Sequence, residues 1–426
     1  MLLKQTVDTS EHAESYYAAT ANHPELYPAL GGDLHADAVI IGGGFSGVST
    51  AVELCERGYS VVLLEANRIS WGASGRNGGQ IIGGVGNNPD AFRSQIGSDG
   101  VEMVYGMASE CVDILRERIA RYSIDCDLKW GYCEVALRQR HLKAYRSYAE
   151  EDENIQLLDA RELRDYVNSD LYLGGYYRED WGHLHPLNLC VGEAKAAESM
   201  GARLFENSVV TRIEYGDNPC VYTDTGSVRA GHVIICGNAY MGALVPYLDA
   251  RVLPATSCII ATQPLSDDQV AATLPRDVAV CDSRTALDYY RLSADRRMLF
   301  GGLSNYTGLE PVDVTGTLKA KMNKVFPALK GVRIDYEWSG NIAISMRRMP
   351  QLGRLEGNVL YAVGYSGHGV APTHMMGRVL AEAVDGDTRR LDVMNRMQHW
   401  RWPGGKLLRR PAMALGMMYF KLKDVF

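Results

Sequence analysis

The residues Gly42-Gly43-Gly44-Phe45-Ser46-Gly47 have the spacing G-x-G-x-x-G, and an acid, Glu65, follows them by one predicted helix and one predicted strand. Gly42 permits a tight turn, Gly44 lets the backbone approach a pyrophosphate, and Gly47 lets helix and strand pack closely. Phe45 and Ser46 belong to the turn, and the helix that follows it offers N-terminal N–H groups and a partial positive charge that suit phosphates. Glu65 ends the second strand where an adenosine ribose presents its hydroxyls. This is the chemistry of dinucleotide binding.

Two further stretches extend it. Gly72-Ala73-Ser74-Gly75-Arg76-Asn77-Gly78-Gly79-Gln80 supplies many backbone donors and lets the chain approach a flat ligand. A nicotinamide dehydrogenase has no need of this second loop. Gly364-Tyr365-Ser366-Gly367-His368-Gly369-Val370 is another glycine turn, set between an apolar run, Val359–Val363, and a helical one. It offers a second helix N-terminus to an anion. A flavin dinucleotide has two anionic needs, the pyrophosphate and the N1–C2=O edge of the reduced ring.

At these loops the chain resembles the D-amino-acid-oxidase-like flavoprotein superfamily. The resemblance is carried by G-A-S-G-R-N-G-G, by Trp338-Ser339-Gly340 with Pro350-Gln351-Leu352-Gly353-Arg354, and by G-Y-S-G-H-G, and it runs from about Ser15 to Phe426. Within the superfamily, S-Y-Y-A-A-T-A-N, W-G-A-S-G-R-N-G-G-Q, H-L-H-P-L-N and Y-Y-R-L-S-A-D are most similar to γ-glutamylputrescine oxidases. The resemblance implies FAD-dependent oxidation of an amine C–N bond to an imine that hydrolyses to an aldehyde. It implies a γ-glutamylated polyamine such as γ-glutamylputrescine as substrate, in polyamine catabolism, and O2 as acceptor giving H2O2. One alternative is a flavin amine or amino-acid dehydrogenase passing electrons to a quinone or carrier. Another is a flavin-binding sensor or assembly protein, against which stand intact substrate-region strands bearing aromatic and charged residues.

The resemblance also implies FAD contacts residue by residue. Beside the first turn and Glu65 these are Ala66, then Ala73, Ser74, Arg76, Asn77, Gly78, Gly79 and Gln80. Val210 is placed at the adenine by its backbone. Cys236 and Gly237 sit in a strand-turn that closes over the nucleotide, where the family more often has alanine than cysteine. Gly340 is placed beside the ring, and Gly364, Tyr365, Gly367, His368, Gly369 and Val370 form the second turn. Flavin-linked relatives use a cysteine just before P-x-x-G. Asn341–Met349 holds none, so the FAD is expected to be non-covalent.

Substrate residues are read from the strand Tyr289-Tyr290-Arg291, where Tyr289 and Arg291 share one face. The chain has 24 Tyr against 7 Phe. Ring faces receive ammonium groups and arginine receives a carboxylate, so this pair is the expected aromatic and cationic wall. His368 is the candidate acid–base residue, with a loop-bracing role set ahead of it. An amine carries its own lone pair, so hydride can leave the α-carbon without a side-chain base.

These residues must be positioned by an α/β fold. Ala38–Ile41 and Ser60–Leu64 read as buried strands around a helix with Val48, Ala51, Val52 and Leu54 inside. Val101, Val104, Met107, Cys111, Ile114 and Leu115 fall at helical spacing within Asp90–Ile124. Cys126–Leu137 reads as a strand pair around Gly131. Helices are expected over His141–Asn154, Gln156–Val167 with Asp159 as a cap, Leu187–Gly201 and Val314–Leu329, and strands at Arg203–Phe205 and Val209–Ile213. Cys220–Ala239 reads as a hairpin; Arg251–Leu265 and Val278–Ser304 suggest antiparallel strands. The expected architecture is a discontinuous Rossmann-like FAD-binding domain in three layers, β/β/α, from 1–89, 187–242 and 338–426. A substrate-binding domain, 90–186 and 243–337, is built on a mixed or antiparallel sheet covered by helices.

Composition bounds the rest. A net charge of −7 argues against a nucleic-acid partner. The nine cysteines are odd in number and form no C-x-x-C, which fits reduced core thiols in a cytoplasmic protein. His183 and His185 would share a strand face, but two histidines alone make no metal site. No stretch reads as a signal peptide or bilayer span. The apolar tail Trp402–Phe426 carries Lys406, Arg409, Arg410, Lys421 and Lys423. It either packs on the FAD domain or makes a peripheral membrane contact near a quinone pool, and Pro403 and Pro411 interrupt any long helix there. The oligomeric state is left open.

Overall fold

The computed structural model describes residues 10–22, 26–305, 313–405, 408, 409, 411 and 413. Five parallel strands form its first sheet, in the order Val359–Val363, Gly226–Ile235, Gly32–Ile41, Val61–Leu64 and Arg203–Phe205. Gln351–Arg354 adds an antiparallel edge beside Val359–Val363. Strands such as Val61–Leu64 and Val359–Val363 are buried along their whole length, as parallel strands covered on both faces must be. The helices Phe45–Glu56, Arg93–Arg121, Pro186–Ser199 and Val370–Val384 pack into one core on one face. The other face carries Val39, Ile41, Val62 and Leu64 against Val210, Val221 and Leu248, beneath the small ribbon Arg212–Glu214 and Cys220–Tyr222.

The second sheet is mixed. Its order is Ile334–Ser345, Val252–Pro264, Arg297–Asn305, Tyr289–Leu292, Ala279–Asp282, Lys129–Val135, Gly174–His183 and Gln80–Ile81. Only Ala279–Asp282 with Lys129–Val135 is parallel. One face is covered by the helix Val314–Val325 through Leu318 and Met322, packed on Tyr290 and Phe300. The other face, with Tyr132, Tyr176, Cys281 and Tyr289, looks towards the first sheet's loops.

Several elements differ from the sequence expectation. Lys129–Val135 is one strand with a bulge between Trp130 and Tyr132, and Gly131 at φ +119° absorbs the bend. Gln156–Asp159 is a strand, and only Ala160–Leu163 is helical, with Asp159 capping it as expected. Residues 209–211 are not strand, because Val210 faces the cavity described below. Gln80–Ile81 and most of Ile334–Ser345, grouped above with the FAD segments, hydrogen-bond into the second sheet. Tyr16 and Tyr17 are buried beside Ile259, Leu299 and Trp338.

Candidate functional site

A cavity of about 560 Å³ opens where the two glycine turns and the loop 72–79 converge. Its floor is the first turn. Gly42 has φ +108°, and a Cβ there would sit 2.9 Å from the Cys236 carbonyl carbon. A Cβ on Gly44 would lie 2.8 Å from Ser74 Oγ, and one on Gly47 would overlap the Gly42 carbonyl. Gly47 therefore shapes the turn from behind, while Gly42, Gly44, Phe45 and Ser46 line the cavity.

Two helices end here with their N-termini open. Gly44 and Gly369 are their caps, and neither has a side-chain cap bond. Phe45 N–H donates to Ser74 Oγ at 2.9 Å; further first-turn N–H groups have no intrahelical partner. Ser46 Oγ donates to Tyr365 Oη at 2.7 Å and so ties the two turns together.

Glu65 lines the cavity with Ala66. It accepts from Gly43 N–H at 2.6 Å and from Asn67 N–H at 2.9 Å. Burial pushes its carboxyl above the usual range, with those two backbone bonds pulling the other way. Ala73, Ser74, Asn77, Val210, Cys236 and Gly237 are also on the wall. Asn77 braces its own loop, donating to the Ser74 carbonyl at 2.8 Å and accepting from Gly79 N–H at 2.7 Å.

Other expected contacts lie one layer back. Arg76 stacks on Trp71, 4.3 Å from the ring centre, and donates to the Trp71 carbonyl at 2.8 Å. Gly78 packs against the Tyr289 ring, and Gly79 has φ +69°. Gln80 donates to the Val280 carbonyl at 2.9 Å. Gly340 faces the Arg76 side chain, and Ile342 and Ala343 of the same strand reach the cavity instead. Tyr365, Gly367, Gly369 and Val370 line it, whereas Gly364, at φ +84°, makes the tight turn behind them.

The substrate wall differs more. Arg291 does not present its guanidinium on an open rim. It is buried, and donates to the carbonyls of Gly78 at 2.7 Å, Leu184 at 2.7 Å and Leu292 at 2.9 Å, and to Tyr17 Oη at 3.1 Å. Sheet alternation places a side chain on a face but does not tell how deeply that face is covered. Tyr289 is half-buried, with Oη 3.1 Å from Ser257 Oγ. His368 does not line the cavity; its Nε2 lies 3.0 Å from the Ile82 carbonyl. His183 and His185 part company, His183 Nε2 lying 3.0 Å from the Asp277 carbonyl and His185 capping the helix Pro186–Ser199 through Asn188 N–H.

Tyr240, Asn238 and Trp71 also shape the cavity and were not expected. The Tyr240 and Trp71 rings meet edge to face at 5.4 Å, and Asn238 Oδ1 accepts from Gly364 N–H at 2.9 Å. The sequence signal for Asn238 was its place after the Cys236-Gly237 turn; Tyr240 needed the three-dimensional meeting of two loops.

A glycine cradle that side chains would fill, two open helix N-termini and a buried acid beside the strand end fit an FAD, and define a flavin-dependent oxidoreductase. Residues 37–383 match the family described as FAD dependent oxidoreductase, and the chain belongs to that DAO family. It is 42% identical to the γ-glutamylputrescine oxidoreductase of Escherichia coli K12, over 97% of this chain and 99% of that one. Among solved structures it is similar to a glycine oxidase from Bacillus cereus, with TM-score 0.71 and 20% identity over 85% of this chain and 99% of that one. An L-proline dehydrogenase from P. horikoshii gives TM-score 0.69 and 21% identity over 85% and 96%. These two likenesses concern the fold. FAD is the cofactor.

Proposed function

We propose that the protein oxidises an amine C–N bond to an imine that hydrolyses to an aldehyde. The substrate is a γ-glutamylated polyamine such as γ-glutamylputrescine, and O2 is the acceptor, giving H2O2. The observation that carries this reading is the end-to-end identity of 42% with the E. coli γ-glutamylputrescine oxidoreductase. The nine free cysteines, eight of them buried, support a reducing, cytoplasmic setting.

The bound flavin supplies a two-electron acceptor for the hydride of the amine's α-carbon. The chain's own contribution is positioning and electrostatics. The N-terminus of Val370–Val384 directs its dipole into the cavity, where it favours negative charge. Ile82, Tyr289, Ser257 and Asn341 are half-buried and uncharged, and on this reading they face the neutral reacting amine. The described part of the tail supports a packed rather than a membrane-bound role. Trp402 N–H donates to the Ala250 carbonyl at 2.9 Å, and Arg409 donates to the Asp249 carbonyl at 2.6 Å. The rest of the tail lies outside the described residues.

Anaerobic addition of γ-glutamylputrescine is expected to bleach the flavin within the enzyme's turnover time, and air is expected to restore the colour faster than a quinone analogue. Bleaching by glycine or proline but by no polyamine derivative would overturn the substrate class. Recovery only with the quinone would overturn the acceptor.

A further inference from the structure

Glu134 is a carboxylate that nothing above employs. It stands on Lys129–Val135, on the sheet face that looks towards the flavin loops. Tyr176 Oη donates to it at 2.8 Å and Tyr145 Oη at 3.2 Å, and Tyr132 is a third phenolic neighbour. Among the described residues no lysine or arginine pairs with it. The nearby Asp282 is served by its own cation, Arg284 Nε at 2.9 Å. Burial holds the Glu134 carboxyl above its ordinary range, while the three phenols pull it back down. Yet Glu134 keeps some accessible surface, as do Ile82, Trp181 and Tyr289 on the same face. It is therefore not sealed in the core.

The register fixes its place relative to the flavin loop. Tyr176, Glu134, Cys281, Tyr289 and Gly301 are successive cross-strand partners, so they form one row across the sheet. Tyr289 ends beside Gly78 and the flavin loop. Glu134 is two strands further on, about 10 Å away at the usual strand spacing. Cys281, between them, donates to Gln80 Oε1 at 2.8 Å, which links the row to the same loop. A negative group ringed by tyrosines has the composition of an ammonium site. The acid supplies charge, and the phenol rings supply both hydrogen bonds and π faces.

We propose that Glu134, held by Tyr132, Tyr145 and Tyr176, is the subsite for the second, non-reacting ammonium group of the substrate. This rests on the amine-oxidation reading and adds to it the recognition of a second ammonium, which in a γ-glutamylated amine is the glutamyl α-ammonium. One end of an extended substrate is oxidised near Tyr289, and the far ammonium is held at Glu134. The subsite selects diamines and their derivatives over monoamines of equal length.

The test uses holoenzyme and two probes whose extended chains span the gap from Tyr289 to Glu134, 1,8-diaminooctane and octylamine, with binding measured by anaerobic calorimetry. Wild type is expected to bind the diamine at least tenfold more tightly. Glu134→Gln, which keeps shape and acceptor, is expected to weaken diamine binding about ten- to hundredfold and leave octylamine unchanged. Tyr176→Phe is expected to weaken the diamine by a smaller factor, and serves if Glu134→Gln loses its fold. Equal loss for both probes, or no loss for either, overturns the subsite. Flavin bleaching in the same samples reads separately: diamine binding at Glu134 without bleaching by any amine keeps the subsite and defeats the proposed reaction.

Discussion

His368 is the candidate acid–base residue, and its partners argue for a different role. The Ile82 carbonyl can only accept, so the 3.0 Å contact requires a proton on Nε2. Burial lowers the ring's pKa, which keeps it neutral, and its hydrogen bonds run to the backbone. That arrangement braces the loop at Ile82–Gly84 and does not prepare a base. His368→Ala is expected to slow anaerobic flavin reduction less than tenfold, while the rate still rises with pH as the amine loses its proton. Stopped-flow reduction at matched FAD content checks this. A loss of about 10²–10⁴-fold would identify His368 as the base. The glycines of both turns were legible because only particular backbone geometries tolerate no Cβ. His368 was legible as a member of the turn, but its partner lies on a different loop.

At the scale of elements, Arg291 is the pin between the two sheets. From Tyr289–Leu292 it reaches the Gly78 carbonyl in the flavin loop and the Leu184 carbonyl before the helix Pro186–Ser199. Removing it strands the buried Leu184 carbonyl at about 1–3 kcal/mol and the half-buried Gly78 carbonyl at less. Arg291→Met is expected to lower the melting temperature and the FAD content together, while the KM of whatever holoenzyme remains stays near wild type. Thermal melts, flavin absorbance and steady-state kinetics separate this from a substrate-binding role, which would raise KM at full FAD content. The strand itself was plain from alternation, and so were the long helices. Short apolar runs were less so. Gln156–Asp159 and the bulge at Gly131 turn on pairing partners distant in sequence, which periodicity does not encode.

For the whole molecule, acid stability follows from its buried histidines. His185 is lowered to about 3 and His399 to about 4, chiefly by burial, with His183 and His368 lowered for the same reason. A histidine held neutral in the fold takes up its proton on unfolding. Its contribution is complete above the unfolded value near 6.5 and is lost as pH falls towards the folded value. At pH 5 His185 alone costs about 2 kcal/mol. A second loss follows below about 4.5, where Glu53 and Glu193 operate. Burial opposes their charge, but Arg118 beside both and His374 beside Glu193 outweigh it and depress their carboxyls. Melts at fixed FAD are expected to fall from pH 6.5 downward, with a steeper drop below 4.5. His185→Asn retains a good helix cap and is expected to flatten the first decline. An unchanged slope would place the proton uptake elsewhere.

The order of the parallel sheet has a consequence for biogenesis. Its three central neighbours, Gly32–Ile41, Gly226–Ile235 and Val359–Val363, come from the beginning, middle and end of the chain. A ribosome releasing the first half releases a glycine turn with no wall opposite it. Cofactor capture therefore waits until Val359–Val363 and the turn after it have been made, and until then apolar strand edges are bare and prone to mispairing. Truncation before Val359 is expected to yield insoluble, colourless protein, read by the flavin absorbance of the soluble fraction.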